Sequence, residues 1–233
     1  MKLPNTGLLI ALAVYGCWAR VLLFALFEHE LSFFTTPFLL LVLIHLYTGL
    51  FITAHDSIHG TVCTIPWVNH LIGRNCLLSF AGFDYDMLRE EHWRHHGNAG
   101  IQGEDPDFHS GNPQFWPWIF SFMKTYMTIW QVTRLNILVA CFWLLGASLF
   151  RLFLFMAVGG LSSALVLFYY GTYIPHRPDE GAKDLNRTGM FRTLDPVEDN
   201  RLTSFLKAYN FGCHSEHHAN PRIPWWALYD AHL

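Results

Sequence analysis

The sequence predicts an all-α integral membrane protein with four transmembrane helices and a cytoplasmic cap rich in histidine. Three observations carry this. Of the 233 residues, 52% are hydrophobic and only 14% are charged, against about 25% charged in an ordinary soluble domain. Four apolar stretches approach the ~20 residues that a helix needs to cross a bilayer. Three histidine clusters, His55-x-x-x-His59, His92-x-x-His95-His96 and His214-x-x-His217-His218, lie at the polar ends of such stretches.

The first apolar stretch covers about 8–27 and is interrupted by Arg20. Lys2 followed by an apolar run has the outline of a secretory signal. The run is long for one, however, and Glu28-His29-Glu30 follows it in place of a small-residue cleavage site. It is read as a retained helix. An arginine inside a span either pairs with a functional partner or snorkels outward. The second stretch, about 33–54, leads directly into His55. The third and fourth, about 135–150 and 152–174, hinge at Arg151, and the third is short for a full span, so that it either begins earlier, near Ile129, or tilts little. Between the second and third, residues 68–83 and 114–130 are apolar but interrupted. There Trp116, Trp118, Tyr126 and Trp130 suit segments at the headgroup level. The polar run 177–199 reads as a surface loop or cap. The whole chain, 1–233, reads as a single membrane-embedded domain.

Charge sets the orientation. Arg74, Arg89, Arg94, Lys124 and Arg134 fall between the second and third stretches, and Arg177, Lys183, Arg187, Arg192, Arg201, Lys207 and Arg222 follow the fourth. The opposite loops carry only Arg151. The positive-inside rule places both termini, the long middle segment and all three histidine clusters in the cytoplasm. A net charge of −3 offers no basic surface for nucleic acid. Five cysteines without a Cys-x-x-Cys pair argue against a disulfide framework or a zinc ribbon, and Cys213 beside His214 reads as a buried, inert thiol.

Histidines spaced i, i+3 and i+4 share one helix face, and neutral imidazole suits iron, zinc, copper or nickel. Eight such side chains fit two ions better than one. His176, just past the fourth stretch, is a ninth candidate, with an interfacial hydrogen-bonding role as the alternative. His29 falls on the opposite side, His45 lies within the second span where an interhelical hydrogen bond suits it, and His70, His109 and His232 read as interfacial or surface groups. Asp56, Asp105 and Glu216, with Glu90-Glu91, are carboxylates that can orient ring N–H groups; a salt bridge or helix cap is an equally good reading of each.

The stretches 46–56 (LYTGLFITAHD), 105–108 (DPDF), 168–178 (FYYGTYIPHRP) and 211–226 (FGCHSEHHANPRIPWW) resemble the bacterial β-carotene 4-ketolase type, the carotenoid ketolase branch of the membrane fatty-acid desaturase and hydroxylase superfamily. The resemblance runs from about residue 40 to the end. It implies a desaturase-like fold and a nonheme two-iron oxygenase of the bacterial inner membrane, drawing its carotenoid from the lipid and using O2 and electrons from a donor such as ferredoxin. His55, His59, His92, His95, His96, His214, His217 and His218 would be ligands, with His176 in the place of the extra histidine of desaturases. The implied reaction converts the C4 methylene of β-ionone rings to a ketone, β-carotene giving echinenone and canthaxanthin and, where hydroxylated rings are accepted, zeaxanthin giving astaxanthin. A carotenoid hydroxylase or a fatty-acid desaturase with the same two-iron site is the alternative. Trp67, Phe83, Trp93, Trp225 and Trp226 could line a lateral entry or anchor the chain at the interface. Asn210 departs from the histidine common in these ketolases. It would share the face of His214 if that helix starts early enough, orienting a ligand or altering substrate preference. A metal transporter, the reading from another class, would set its ligands near the bilayer midplane, whereas these clusters flank the spans.

Overall fold

The structure, a computed structural model, describes residues 5–28, 30–177 and 200–232. His29, residues 178–199 of the polar run and the side chain of His232 lie outside the described residues. The described chain is helical, with no strand: α1 Thr6–Phe27, α2 Thr35–Ile58, α3 Pro66–Ala81, α4 Tyr85–Asn98, α5 Phe115–Tyr126 and α6 Ile129–Leu144. There follow a long α7, Leu149–His176, then α8 Arg201–Ala208, α9 His214–Ala219 and α10 Trp225–Leu228. Helices α1, α2 and α7 are long and apolar enough to cross a membrane, and α5 with α6 makes a fourth candidate as a broken span. The two helices of that pair meet at 84°, as a broken span or a re-entrant loop does, so the described chain has three or four candidate spans against the four expected.

The described residues form two compact units. The first holds α1 to α3, α6 and the start of α7. Its core is an aromatic chain: Trp18 on Tyr47 at 5.7 Å, Tyr47 on Phe80 at 6.2 Å and Phe51 on Phe80 at 5.6 Å. Between α2 and α7, the buried Thr48 and Ser163 hydroxyls share a 2.9 Å hydrogen bond, the kind of polar contact that joins helices where lipid offers no hydrophobic drive. Helix α3 starts with Pro66 at a position where a missing N–H costs nothing. It ends at Gly82, whose φ of 71° is the left-handed cap conformation. A side chain there would also meet the Gln131 carbonyl at 2.9 Å. Asn69 binds the carbonyl of Ser57 and accepts from the Cys63 N–H at 3.2 Å, which fastens the turn after α2.

Two expectations shift here. The break between the third and fourth stretches falls at 145–148, where Gly146 takes φ 100°, not at Arg151. Arg151 sits in the first turn of α7, capped by Ser148, and its guanidinium donates to the carbonyls of Leu26 and Glu28. This ties together the two loops assigned to the non-cytoplasmic face. Arg20 is exposed on α1, as snorkelling requires.

The second unit holds α4, α5, the end of α7 and everything after it. Trp118 is its centre, fully buried, with Phe108, Phe168 and Tyr173 edge-on or tilted around it at 5.6–6.1 Å. Trp116 and Trp130 are exposed as expected, but Trp118 and Tyr126 are buried, a correction to the headgroup assignment. Both reach Asp107: the Trp118 indole N–H donates to its carbonyl at 2.8 Å and the Tyr126 hydroxyl to its carboxylate. His109 is also buried, stacked near Phe108 and edge-on to Trp118, and is not a surface group.

Candidate metal centre

Helix α4 is rich in charged and histidine side chains, and its sequence explains the face it builds. His92, His95 and His96 fall at i, i+3 and i+4, so all three rings leave from one side. The short α9 repeats the pattern with His214, His217 and His218. His176 arrives from the last turn of α7 after a local change of winding. Pro175 has no N–H for the carbonyl of Gly171, and its ring would collide with that carbonyl in a regular α-helix. The backbone instead widens to a π-helical turn over Tyr169–Tyr173, a feature frequent at functional sites.

Within the second unit these three sources meet. His95 Nε2 and His218 Nε2 are 3.0 Å apart, and His176 Nε2 and His214 Nε2 are 2.9 Å apart. One donor atom from each of His95, His176, His214 and His218 fits within 4.8 Å of all the others. Beside them, His96 Nε2 is 3.1 Å from both His92 Nε2 and His217 Nε2. The rings of His96 and His218 stack at 4.1 Å and join the two groups. Imidazole nitrogens that share an ion at ~2.1 Å lie roughly 3.0–3.4 Å from one another, so the donor set fits a metal. His55 and His59 belong to the first unit, at the C-terminal end of α2, with ring centroids 5.0 Å apart.

Electrostatics favour neutral, metal-ready rings. Burial, then the neighbouring His218, His176, His95 and His217, hold His214 well below the usual imidazole range. Burial likewise lowers His59 to about 4. His95 differs. Burial opposes its charge, but the carboxylates of Asp107 and Asp105 outweigh that and raise its basicity. Its Nδ1 lies 2.8 Å from Asp105 Oδ1, so the ring keeps its proton there and turns the Nε2 lone pair to the cluster. Asp105 is itself fixed, accepting from the Gly100 N–H at 2.7 Å and the Asp107 N–H at 2.8 Å. Burial works against its ionisation, yet these bonds and His95 hold it below the usual carboxylate range. Asp107 lies 3.8 Å from the same ring nitrogen, and burial pushes its carboxyl up to about 6.

The other carboxylates are less engaged. Asp56 Oδ1 is 3.7 Å from His55 Nδ1, beyond a hydrogen bond. Glu216 accepts from the Ser215 hydroxyl at 3.0 Å, and Glu91 pairs with Arg94 at 3.2 Å. Cys213 is buried and forms no disulfide among the described residues. Asn210 departs from expectation: α9 begins only at His214, and Asn210 sits before it in a turn with φ 62°. It does not share the face of His214, and its amide donates to the Trp225 carbonyl at 3.1 Å. Sequence reasoning missed Tyr126 and Trp118, which hold Asp107; their aromatic clustering was visible, but its inward direction was not.

Residues 31–233 match the fatty acid desaturase family. A β-carotene ketolase of Haematococcus lacustris is 38% identical over 247 residues, covering 95% of this chain and 77% of that protein. A zeaxanthin 4-ketolase of Chlamydomonas reinhardtii is also 38% identical, over 95% of this chain and 52% of its own length. A β-carotene ketolase of a Paracoccus species is 32% identical over 97% of this chain and 92% of its own. With its histidine clusters and membrane helices in place, the chain belongs to the fatty acid desaturase family, within its branch of β-carotene ketolases.

Proposed function

We propose that the protein is a carotenoid 4-ketolase that holds two irons in its histidine clusters. The observation that carries this reading is the convergence of His95, His176, His214 and His218 on one point, in a chain 38% identical to a β-carotene ketolase. His92, His96 and His217 form the neighbouring group, and the family resemblance adds His55 and His59 to the ligand set. Bound iron would supply the activation of O2 with electrons from a donor of the ferredoxin type.

The chain's own residues do the rest. Neutral imidazoles present lone pairs, and Asp105 keeps the His95 proton on Nδ1. The substrate methylene at C4 of a β-ionone ring is allylic, so the radical left by hydrogen loss is delocalised over the polyene. One oxidation inserts an oxygen atom from O2 and gives an alcohol, the other oxygen leaving as water with two electrons and two protons from the donor side. A second gives a geminal diol, which loses water to the ketone. A carotenoid so apolar reaches the enzyme from the bilayer, and we place the clusters on the cytoplasmic side of a bacterial inner membrane.

Expression in a β-carotene-producing host tests this. The extracts should gain echinenone and canthaxanthin, and a His217→Ala variant should lose both. Zeaxanthin alone, or only unsaturated lipids, would move the assignment to a hydroxylase or a desaturase.

A further inference from the structure

Gly171 and Phe211 make a contact that the ligand set alone does not explain. Gly171 lies at the middle of the π-helical turn, five residues before His176. The Cδ1–Cε1 edge of the Phe211 ring lies against its backbone. A methyl group added at Gly171 would overlap that ring, with even the more distant Cζ only 3.1 Å away. Phe211 is also three residues before His214, and the two rings stand edge-on with centroids 6.0 Å apart. The turn that aims Phe211 is strained: Tyr209 and Asn210 take φ of 53° and 62°, a left-handed pair without glycine. It is closed by the Phe211 N–H to the Ala208 carbonyl at 2.9 Å and the Cys213 N–H to the Asn210 carbonyl at 3.0 Å. Strain of this kind persists only where surrounding contacts over-determine it.

We infer that Gly171 and Phe211 act as a clamp that sets the spacing of His176 and His214, and so are positioning residues for one of the two metal sites. His176 and His214 come from helices separated in sequence by 38 residues. The two Nε2 atoms must meet to within 2.9 Å, and a ring seated on a bare backbone fixes that distance more closely than a flexible side chain does. The clamp acts on His176 and His214.

The test rests on the metal reading and separates its failure from that of the clamp. The full-length protein is purified in detergent, loaded anaerobically with ferrous ion and assayed for iron per chain, with the Co(II) d–d spectrum of a parallel sample as a second readout. Wild type should hold about two ions; Gly171→Ala should weaken one site on the order of 10–100-fold and retain about one, as changes around ligands usually do. Gly171→Ala with Phe211→Leu, which returns the added volume, should regain the second ion and the wild-type Co(II) spectrum. Phe211→Ala alone should weaken the same site, and it decides the matter if Gly171→Ala does not fold. A wild type without metal sinks the metal reading itself. A wild type with two ions and a Gly171→Ala or Phe211→Ala variant that keeps both at unchanged affinity overturns the clamp alone, as does a double variant that stays at one.

Discussion

Asp105 has three acceptor bonds and one task, which is to hold the proton of His95 on the nitrogen away from the cluster. Asp105→Asn keeps the size but loses the charge, and at least one of the three donors Asp105 faces must then meet an amide N–H. Metal affinity should fall on the order of 10–100-fold, measured by chelator competition, with smaller loss of helical signal than His95→Ala produces. Trp118→Phe removes the indole donor to the Asp107 carbonyl inside a packed core and should cost about 1–3 kcal/mol, read as a lower melting temperature in detergent. The meeting of the second and third histidine clusters was legible because imidazole spacing on a helix is periodic and specific; His176 and Asp105 carried no such spacing and entered only as candidates by position. Asp107, Trp118 and Tyr126 were not tied together, since nothing local in a sequence brings residue 107 to 118 and 126. Where the helix of His214 starts, the condition on which the reading of Asn210 turned, was not legible for a related reason: a left-handed pair such as Tyr209-Asn210 carries no glycine to announce it.

Helix boundaries show the same division. Apolar length gave α1, α2 and α7 closely, and the start of α6 at Ile129 was anticipated from the length a span requires. The break before α7 was set one turn too late, because Arg151 is the more conspicuous residue although Gly146 and Ser148 do the turning. The π turn had a signal, Pro175, but a proline near a helix end normally predicts only termination. Gly82 is the position where α3 and α6 depend on each other. Gly82→Ala should destabilise the first unit by about 1–2 kcal/mol from its left-handed φ alone, and by more as the new methyl meets the Gln131 carbonyl. Thermal unfolding in detergent, against a Gly97→Ala control where the added methyl meets nothing within 4 Å, measures it.

For the whole chain, the orientation proposed above predicts that Glu30 and Ser110, both exposed, face opposite sides of the membrane. With the exposed Cys17 and Cys141 changed to serine, Glu30→Cys should react with an impermeant maleimide from outside intact cells. Ser110→Cys should react only after permeabilisation; the reverse pattern would invert the orientation. Metal links to stability by mass action: ferrous ion at about 100 times its dissociation constant stabilises the folded protein by about 2.7 kcal/mol per site. Adding it to stripped protein should raise the melting temperature, and a chelator should reverse the shift. Composition and hydropathy made the membrane class legible from the start, since few charges in a long apolar chain leave no soluble alternative. The product chemistry rests on neighbours of the clusters, such as the residues around His176 and after His218, whose meaning is a likeness and not a spacing.

The π turn before His176 also bears on how chains of this kind are compared. Such a turn accommodates one residue more than ordinary winding does, and each residue of an α-helix advances about 100° around the axis. A single-codon deletion within 169–173 would remove the extra residue and leave His176 facing His214, whereas a substitution that let the turn relax to regular winding with every residue kept would swing His176 roughly a third of a turn away. Every histidine would then remain in the text of the gene, each in its familiar neighbourhood, while the cluster had lost a donor. An inventory of histidine motifs would score that chain as intact, so the residues that hold this turn open are a better marker of a working centre than the ninth histidine itself.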